Sequence, residues 1–570
     1  MRSGKVEEQA VTEESAEKIL EMLHLHYLRT RSPETAASRL YRKSTKARHI
    51  CFDYLGAPLK IDPEEFIESF EHVKLDTVLQ YVAFPNIRVH PAPDYPYALD
   101  KSTEDGNGRC DMMLFFQWLK DKGVKRILKV IVDDSNTPAH SDEAIEKALQ
   151  GFDVEILDWR KVDLCPETIW TSNRKLRKVH LQWSGNNAVL RGWSEPEGLR
   201  RLEDLTKVYL HVKQPVPLSI RPRIIVKRSD EDGQNRRLLT MTFAASEMKQ
   251  EHILQPHRWL NCMDEFKDVF QNVWSWSMKQ KLQQQEALMQ PVEIALIDDG
   301  VDVLQSRLRG KISDGKSFDY GDKGANRIRS HWISERGHGT VMAKNIVRIC
   351  PMAKIYVIKL ETHFDHKEQK ARIGTRSAAE AIDAAVDRKV QIISMSWTIK
   401  QPDSNSEEKE KFDSAVRRAV KAGILLFCSA ADKGLHQDND YPAASNPTKM
   451  FKIGAAKPNG NVWDWVPNIR HLDFIIPGYE VAENASLDND SSQHFQPQTG
   501  SSVATALGAG LATLVICCVQ LASIHTQMSR QKGHPDAPSS LTLDDLRHVK
   551  NHENMKAALR TIGTSPDSDI

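Results

Sequence analysis

The chain has 570 residues, with 78 Lys and Arg against 77 Asp and Glu, a formal net charge of +1. Charged residues make up 27% and hydrophobic residues 40%, the balance of a soluble globular protein rather than a polyelectrolyte or a disordered tail. A charge this near zero argues against a dominant nucleic-acid surface, which would draw its affinity from clustered Lys and Arg.

Residues 1–45 read as an acidic helix (Ser15 to Leu28) followed by a basic stretch, RTRSPETAASRLYRKSTKARH, that serves as a linker. The first residues, MRSGKVEEQAVTEESAEK, lack the apolar run of a signal peptide and are too acidic for a transit peptide, so a cytoplasmic location is expected. Residues 46–215 alternate helical patterns such as DMMLFFQWLKD with apolar runs such as RILKVIVDD and DVEILDWR, which predicts an α/β domain of unknown role. Near its end Val179, Leu181 and Trp183 alternate, SGNN supplies turn residues and AVLRGW follows, a hairpin signal. Residues 216–290 hold a polar turn, SDEDGQNRR, and a Gln-rich helical connector.

From 291 to 525 six apolar runs, VEIALID, AKIYVIKL, QIISMSW, ILLFCSA, FKIGAA and DFIIPG, are interleaved with amphipathic helical patterns. Such a pattern predicts a parallel sheet covered by helices on both faces, with functional groups at the carboxyl ends of its strands. Val503 to Ile524 carries no charge over 22 positions, long enough to span a bilayer. Its Gly, Ala, Thr and Ser content and its start directly after GSS favour a buried central helix, so no membrane span is expected. Residues 526–570 are a polar tail with a terminal amphipathic helix, opened by a capping-box-like Thr542 to Asp545 and carrying Leu543, Leu546, Val549, Met555, Leu559 and Ile562 on one face.

The eight cysteines, with no C-x-x-C pair, indicate neither a zinc ribbon nor a disulfide scaffold. In a reducing compartment the sequons at Asn484 and Asn489 are accidental. Asp298 ends an apolar strand in ALIDDG, His338 opens a helix in ERGHGT, and Ser502 opens the uncharged helix in TGSSVATA. Serine hydrolysis needs a hydroxyl nucleophile, an imidazole to take and return its proton, and a carboxylate to orient the imidazole. Each residue alone has a structural reading, as a turn cap, a helix-start His or a loop Ser. Their order, Asp then His then Ser, is more specific.

On these residues, 291 to about 525 resembles the subtilisin-like serine proteases (peptidase S8), and in style looks like their fungal intracellular members. The family's D-[ST]-G appears as Asp298-Asp299-Gly300, its H-G-T as His338-Gly339-Thr340, and its G-T-S-x-A-[TA]-P as Gly500 to Ala506. The resemblance implies a subtilisin-like α/β fold for this part, while the patterns before it predict a separate N-terminal α/β region. It also implies endopeptidase activity on polypeptides through an acyl-enzyme, with Asp298 orienting, His338 as general base and acid, and Ser502 attacking. Ser396, Trp397 and Ser429 fall on the family's substrate-binding segments, and Trp397 suggests a constricted pocket. No cofactor is implied, and structural calcium, which many relatives bind, leaves no motif.

Five positions depart from the pattern. Asp432 stands where an Asn donates to the oxyanion, Asp299 replaces Ser or Thr, Val341 and Lys344 break the usual run after H-G-T, and Ala506 replaces Pro. Asp432 opens a second reading, a pseudo-protease that uses the fold as a peptide-binding or interaction module. Residues 1–290 exceed a usual pro-segment and are candidates for intramolecular regulation. Two motifs carry less weight. Gly310 to Ser317 matches G-x-x-x-x-G-K-[ST] but lacks the strand before it and the helix after it that would cradle phosphate, and reads as a surface loop. His548 and His552 lack the carboxylate of H-E-x-x-H and read as a solvated helix face, so no metal site is expected.

Overall fold

The computed structural model describes the chain except for residues 1–19, 42–47, 59, 91–107, 213–256, 279–287, 289, 321–326, 366–369, 404–405, 435–439, 468, 483–496, 533–539 and 563–570. Residues 15–19 of the expected first helix, the turn SDEDGQNRR and both sequons therefore lie outside the described residues. The chain forms two compact units.

The first unit comprises 1–67, 73–252 and 324–328. Its sheet runs Cys51–Asp53, Tyr81–Phe84, Arg126–Val132, Asp153–Trp159, Lys178–Trp183, Lys207–Val212, all pairs parallel. The helix Met112–Asp121 buries Leu114, Phe115, Trp118 and Leu119, the apolar face that DMMLFFQWLKD implied. The expected separate α/β region is thus present, but its last hairpin is not. Lys178–Trp183 is an interior parallel strand, and the residues after it form the helix Asn187–Ser194. Asn186, taken as a turn residue, caps that helix, its side chain accepting from Ala188 N–H at 3.0 Å. At the carboxyl edge of the sheet Asp134 accepts from Arg109 (2.9 Å), His140 Nδ1 (2.9 Å) and Trp159 Nε1 (3.0 Å), a buried network that fixes the loops there. Within this unit Arg327 grips the Asp53 carboxylate with two bonds of 2.8 Å.

The second unit comprises 68–72, 253–323 and 329–570. Its seven-stranded sheet has the order Ile312–Ser317, Lys354–Lys359, Glu293–Asp298, Ile392–Met395, Leu425–Ser429, Met450–Ala456, Phe474–Pro477, and every pairing is parallel. Six of these strands are the six apolar runs. The seventh, Ile312–Ser317, is the phosphate-loop look-alike. It is an edge strand rather than a loop, and a side chain at its Gly315 would collide with the His331 ring at 2.0 Å. Helices Thr375–Arg388 and Glu407–Lys421 bury Ile382, Ala385, Phe412 and Ala419 against one face. Ser406 caps the second of these, its hydroxyl accepting from Lys409 N–H at 3.2 Å.

The other face holds two helices that matter for chemistry, His338–Ile349 and Ser501–Gln531. The latter is the one described helix long and apolar enough to cross a membrane, and 78% of its most apolar window is buried inside the fold. It is a core helix, as its composition suggested. Gly510 lets it cross the histidine helix closely, since a Cβ there would lie 2.9 Å from Ile346 O and 3.1 Å from Ile349 Cβ. The helix Arg258–Met278, expected as a connector, is part of this unit: Asp264 takes two bonds from Arg348 near the end of the histidine helix, at 3.1 Å (Nε) and 2.5 Å (Nη2). The tail forms two helices, Leu543–Val549 and His552–Ile562, rather than one, and the first opens with the Thr542–Asp545 capping box. His552 is not solvated but stacks on Phe451, ring centroids 4.3 Å apart.

Candidate active site

The aspartate strand Glu293–Asp298 is apolar because it lies third in a sheet covered on both sides, and Asp298 is its last residue. The chain then turns through Gly300, whose φ of +97° and closeness to Ile333 O (2.2 Å for an added Cβ) admit only glycine. His338 is the first residue of its helix, reached through Gly337 in the left-handed region. Gly339 is equally constrained, because a Cβ there would meet Gly300 O at 2.1 Å. The two glycines bring strand end and helix start into contact, and the result is a 2.8 Å hydrogen bond between His338 Nδ1 and Asp298 Oδ1. The Asp298 carboxylate holds the His338 imidazolium, raising its pKa above the ordinary value against the opposing cost of burial; Asp299 adds to the rise and Arg336 works against it.

Ser502 lies in the first turn of the serine helix, where backbone N–H groups have no earlier carbonyl to bind. Its hydroxyl donates to Ser396 O at 2.8 Å, and Ser396 Oγ in turn donates to Ser502 O at 3.1 Å. Ser502 is therefore parked on the strand end beside it, and no hydrogen bond joins it to His338 among the described residues. Asp432 follows the strand Leu425–Ser429, and its carboxylate accepts from Ser501 N–H at 2.8 Å and Ser501 Oγ at 2.6 Å. Asp432 thus faces the serine helix as an acceptor. Ser501 completes the link by accepting from Ala455 N–H at 3.1 Å. Sequence reasoning named Asp432 but missed Ser501, for which the only signal was its place before the nucleophile.

The three residues expected to contact substrate part company. Ser396 touches Ser502 as described. Ser429 is buried at the end of its strand. Trp397 is 7% exposed, and its indole N–H donates to Ile297 O at 2.8 Å. Among the described residues no group of three or more His, Cys, Asp or Glu is placed to hold a metal ion.

The parallel sheet thus delivers a paired Asp and His from one strand–helix junction and a Ser from the start of a central helix. Residues 290–527 match Peptidase_S8, the subtilase family, and this part of the chain is a subtilase domain. The chain is 27% identical over 237 residues to the major intracellular serine protease of Bacillus subtilis (strain 168), a match covering 39% of this chain and 68% of that protein. It is 25% identical to the intracellular serine protease of Paenibacillus polymyxa, over 39% of this chain and 66% of that one. The subtilisin-like protease het-Q2 of Podospora anserina is 30% identical over 189 residues, 32% of this chain and 49% of the relative. The chain thus spans about two thirds of the two bacterial relatives and half of the fungal one. Among solved structures, a lanthipeptide protease (19% identity, TM-score 0.34, 50% of this chain and 87% of that one) and a cold adapted subtilisin-like serine proteinase (18%, 0.32, 42% and 80%) are similar.

Proposed function

We propose that the chain is a serine endopeptidase that hydrolyses polypeptides through Asp298, His338 and Ser502. The observation that carries this reading is the 2.8 Å bond between Asp298 and His338, set beside a serine at a helix N-terminus. For attack, Ser502 Oγ leaves Ser396 O and gives its proton to His338 as it bonds to the scissile carbonyl carbon. The oxyanion is held by Ser502's own N–H at the positive end of the helix. His338 passes the proton to the leaving amine, the acyl-enzyme forms, and water reverses the sequence. We place the protein in the cytoplasm, supported by two relatives that are named as intracellular, and assign residues 1–290 a regulatory role toward the protease.

A second reading, a peptide-binding pseudo-protease, is favoured by one observation: Asp432 is engaged as an acceptor by Ser501, so its carboxylate supplies no oxyanion donor. A fluorophosphonate probe separates the two. The full chain is expected to be labelled between pH 5 and 8, and Ser502→Ala to lose the label. A wild-type chain that takes no label would leave the pseudo-protease.

A further inference from the structure

Asp299 departs from the Ser or Thr of the family pattern, and it is 4% exposed. A buried carboxylate costs several kcal/mol unless it is paired, so its partners matter. Oδ1 accepts from Ser334 Oγ at 2.7 Å and from Gly339 N–H at 2.8 Å. Oδ2 accepts from Arg336 N–H at 3.1 Å, with the Arg336 guanidinium at 3.9 Å. All three donors lie between Ser334 and Gly339, the segment that carries His338. Gly339 N–H is among the first N–H groups of the histidine helix, which no carbonyl of that helix can reach. The N-cap residue, Gly337, has no side chain to satisfy them. Asp299 supplies that cap from the neighbouring loop, and its charge suits the positive end of the helix.

A hydroxyl at this position has one oxygen to offer these donors. The carboxylate, with two, clamps the approach to His338 on both sides. Asp302 ties the same segment further along, accepting from Ser334 N–H at 2.9 Å and from Thr340 Oγ1 at 3.2 Å. His338 is consequently held by adjacent residues of one strand end, Asp298 on its ring and Asp299 on the backbone N–H groups of Arg336 and Gly339 that flank it.

We infer that Asp299 is a positioning residue for the general base, its carboxylate fixing the segment 334–339 and the first turn of the histidine helix so that the imidazole stays on Asp298. The inference rests on the triad reading proposed above, and its test separates the two. In the full chain, Asp299→Asn, Asp299→Ser and Ser334→Ala are compared with wild type for kcat and KM on a peptide substrate across pH. The imidazole of His338 is titrated in parallel by NMR of carbon-13 histidine, and melting temperature reports folding. Asp299→Asn keeps one carbonyl oxygen but turns an amide donor against another donor. It is expected to lower kcat by about 10- to 100-fold, the scale of a catalytic group displaced by up to an ångström, with KM little changed and the His338 titration moved to lower pH. Asp299→Ser is expected to behave alike, and Ser334→Ala to lower kcat less.

Unchanged kcat and an unchanged His338 titration in both Asp299 variants would overturn the inference. A wild-type chain without Ser502-dependent activity would overturn the proposed function instead. The titration then decides on Asp299 alone, a downward shift in Asp299→Asn supporting it and no shift overturning it.

Discussion

The Asp298 carboxylate sets a demand on pH at this site. His338 is held in its protonated form by Asp298, so the free base needed for attack accumulates only above the ordinary histidine range, and kcat/KM should rise with pH through that raised value. The same pairing stabilises the fold: its contribution is complete below about pH 6.5, the unfolded value, and fades as pH rises through the raised native one. Asp432, an acceptor occupied by Ser501, offers no donor to an oxyanion. Asp432→Asn is therefore expected to raise kcat by up to about 100-fold, given the usual worth of one oxyanion donor. Steady-state kinetics would check this, and a fall in kcat would show that the carboxylate itself is needed. Asp298, His338, Ser502 and Asp432 were all legible in the sequence because each sits in a short motif at an element boundary. The partners of Asp299 were not. Ser334 and Arg336 belong to no motif, and only the folded loop brings them to one carboxylate. The resting position of Ser502 on Ser396 O was equally hidden, since a rotamer leaves no trace in residue order.

At the level of elements, periodicity worked where burial is complete on both faces. The six long apolar runs are six parallel strands, and the amphipathic patterns between them are helices. It failed at Ile312–Ser317, whose sequence ISDGKS has one large apolar residue because an edge strand is covered less. It failed again at Asn187–Ser194, where a side-chain cap on Asn186 outweighed an alternating pattern too short to fix a period. The crossing of the histidine and serine helices depends on Gly510. Gly510→Ala would press a methyl against Ile346 O and Ile349, and the expected cost is about 1 to 3 kcal/mol of overpacking. A lowered denaturation midpoint with an unchanged slope is the measurement to make. Ala at Gly460, where nothing lies within 4 Å, serves as a contrast for crowding alone, although its φ of +86° adds backbone strain.

At the scale of the whole molecule, the division into two units does not follow one cut in the chain. The second unit takes in residues 68–72, where Phe70 is fully buried and meets Trp332 edge-on at 5.8 Å, and Glu68 pairs with Arg309 at 3.1 Å. A fragment beginning at residue 253 lacks that segment. Its melting temperature should be lower than that of the same unit in the full chain, by an amount matching the roughly 1.5 to 3 kcal/mol that burial of one Phe contributes, and calorimetry of both would show it. No sequence pattern announced this exchange, because it rests on a five-residue segment of ordinary composition. The serine helix, finally, has 31 residues and so a length of about 46 Å. Far from Ser502, its Gln520 bonds the carbonyl of Gln290 at 2.8 Å, just before the aspartate strand, and its Ser523 bonds that of Thr542 at 2.9 Å, in the tail. Ser502 is thus carried on a helix whose far end is tied by hydrogen bonds to Gln290 and Thr542, on the two sides of the domain in the sequence.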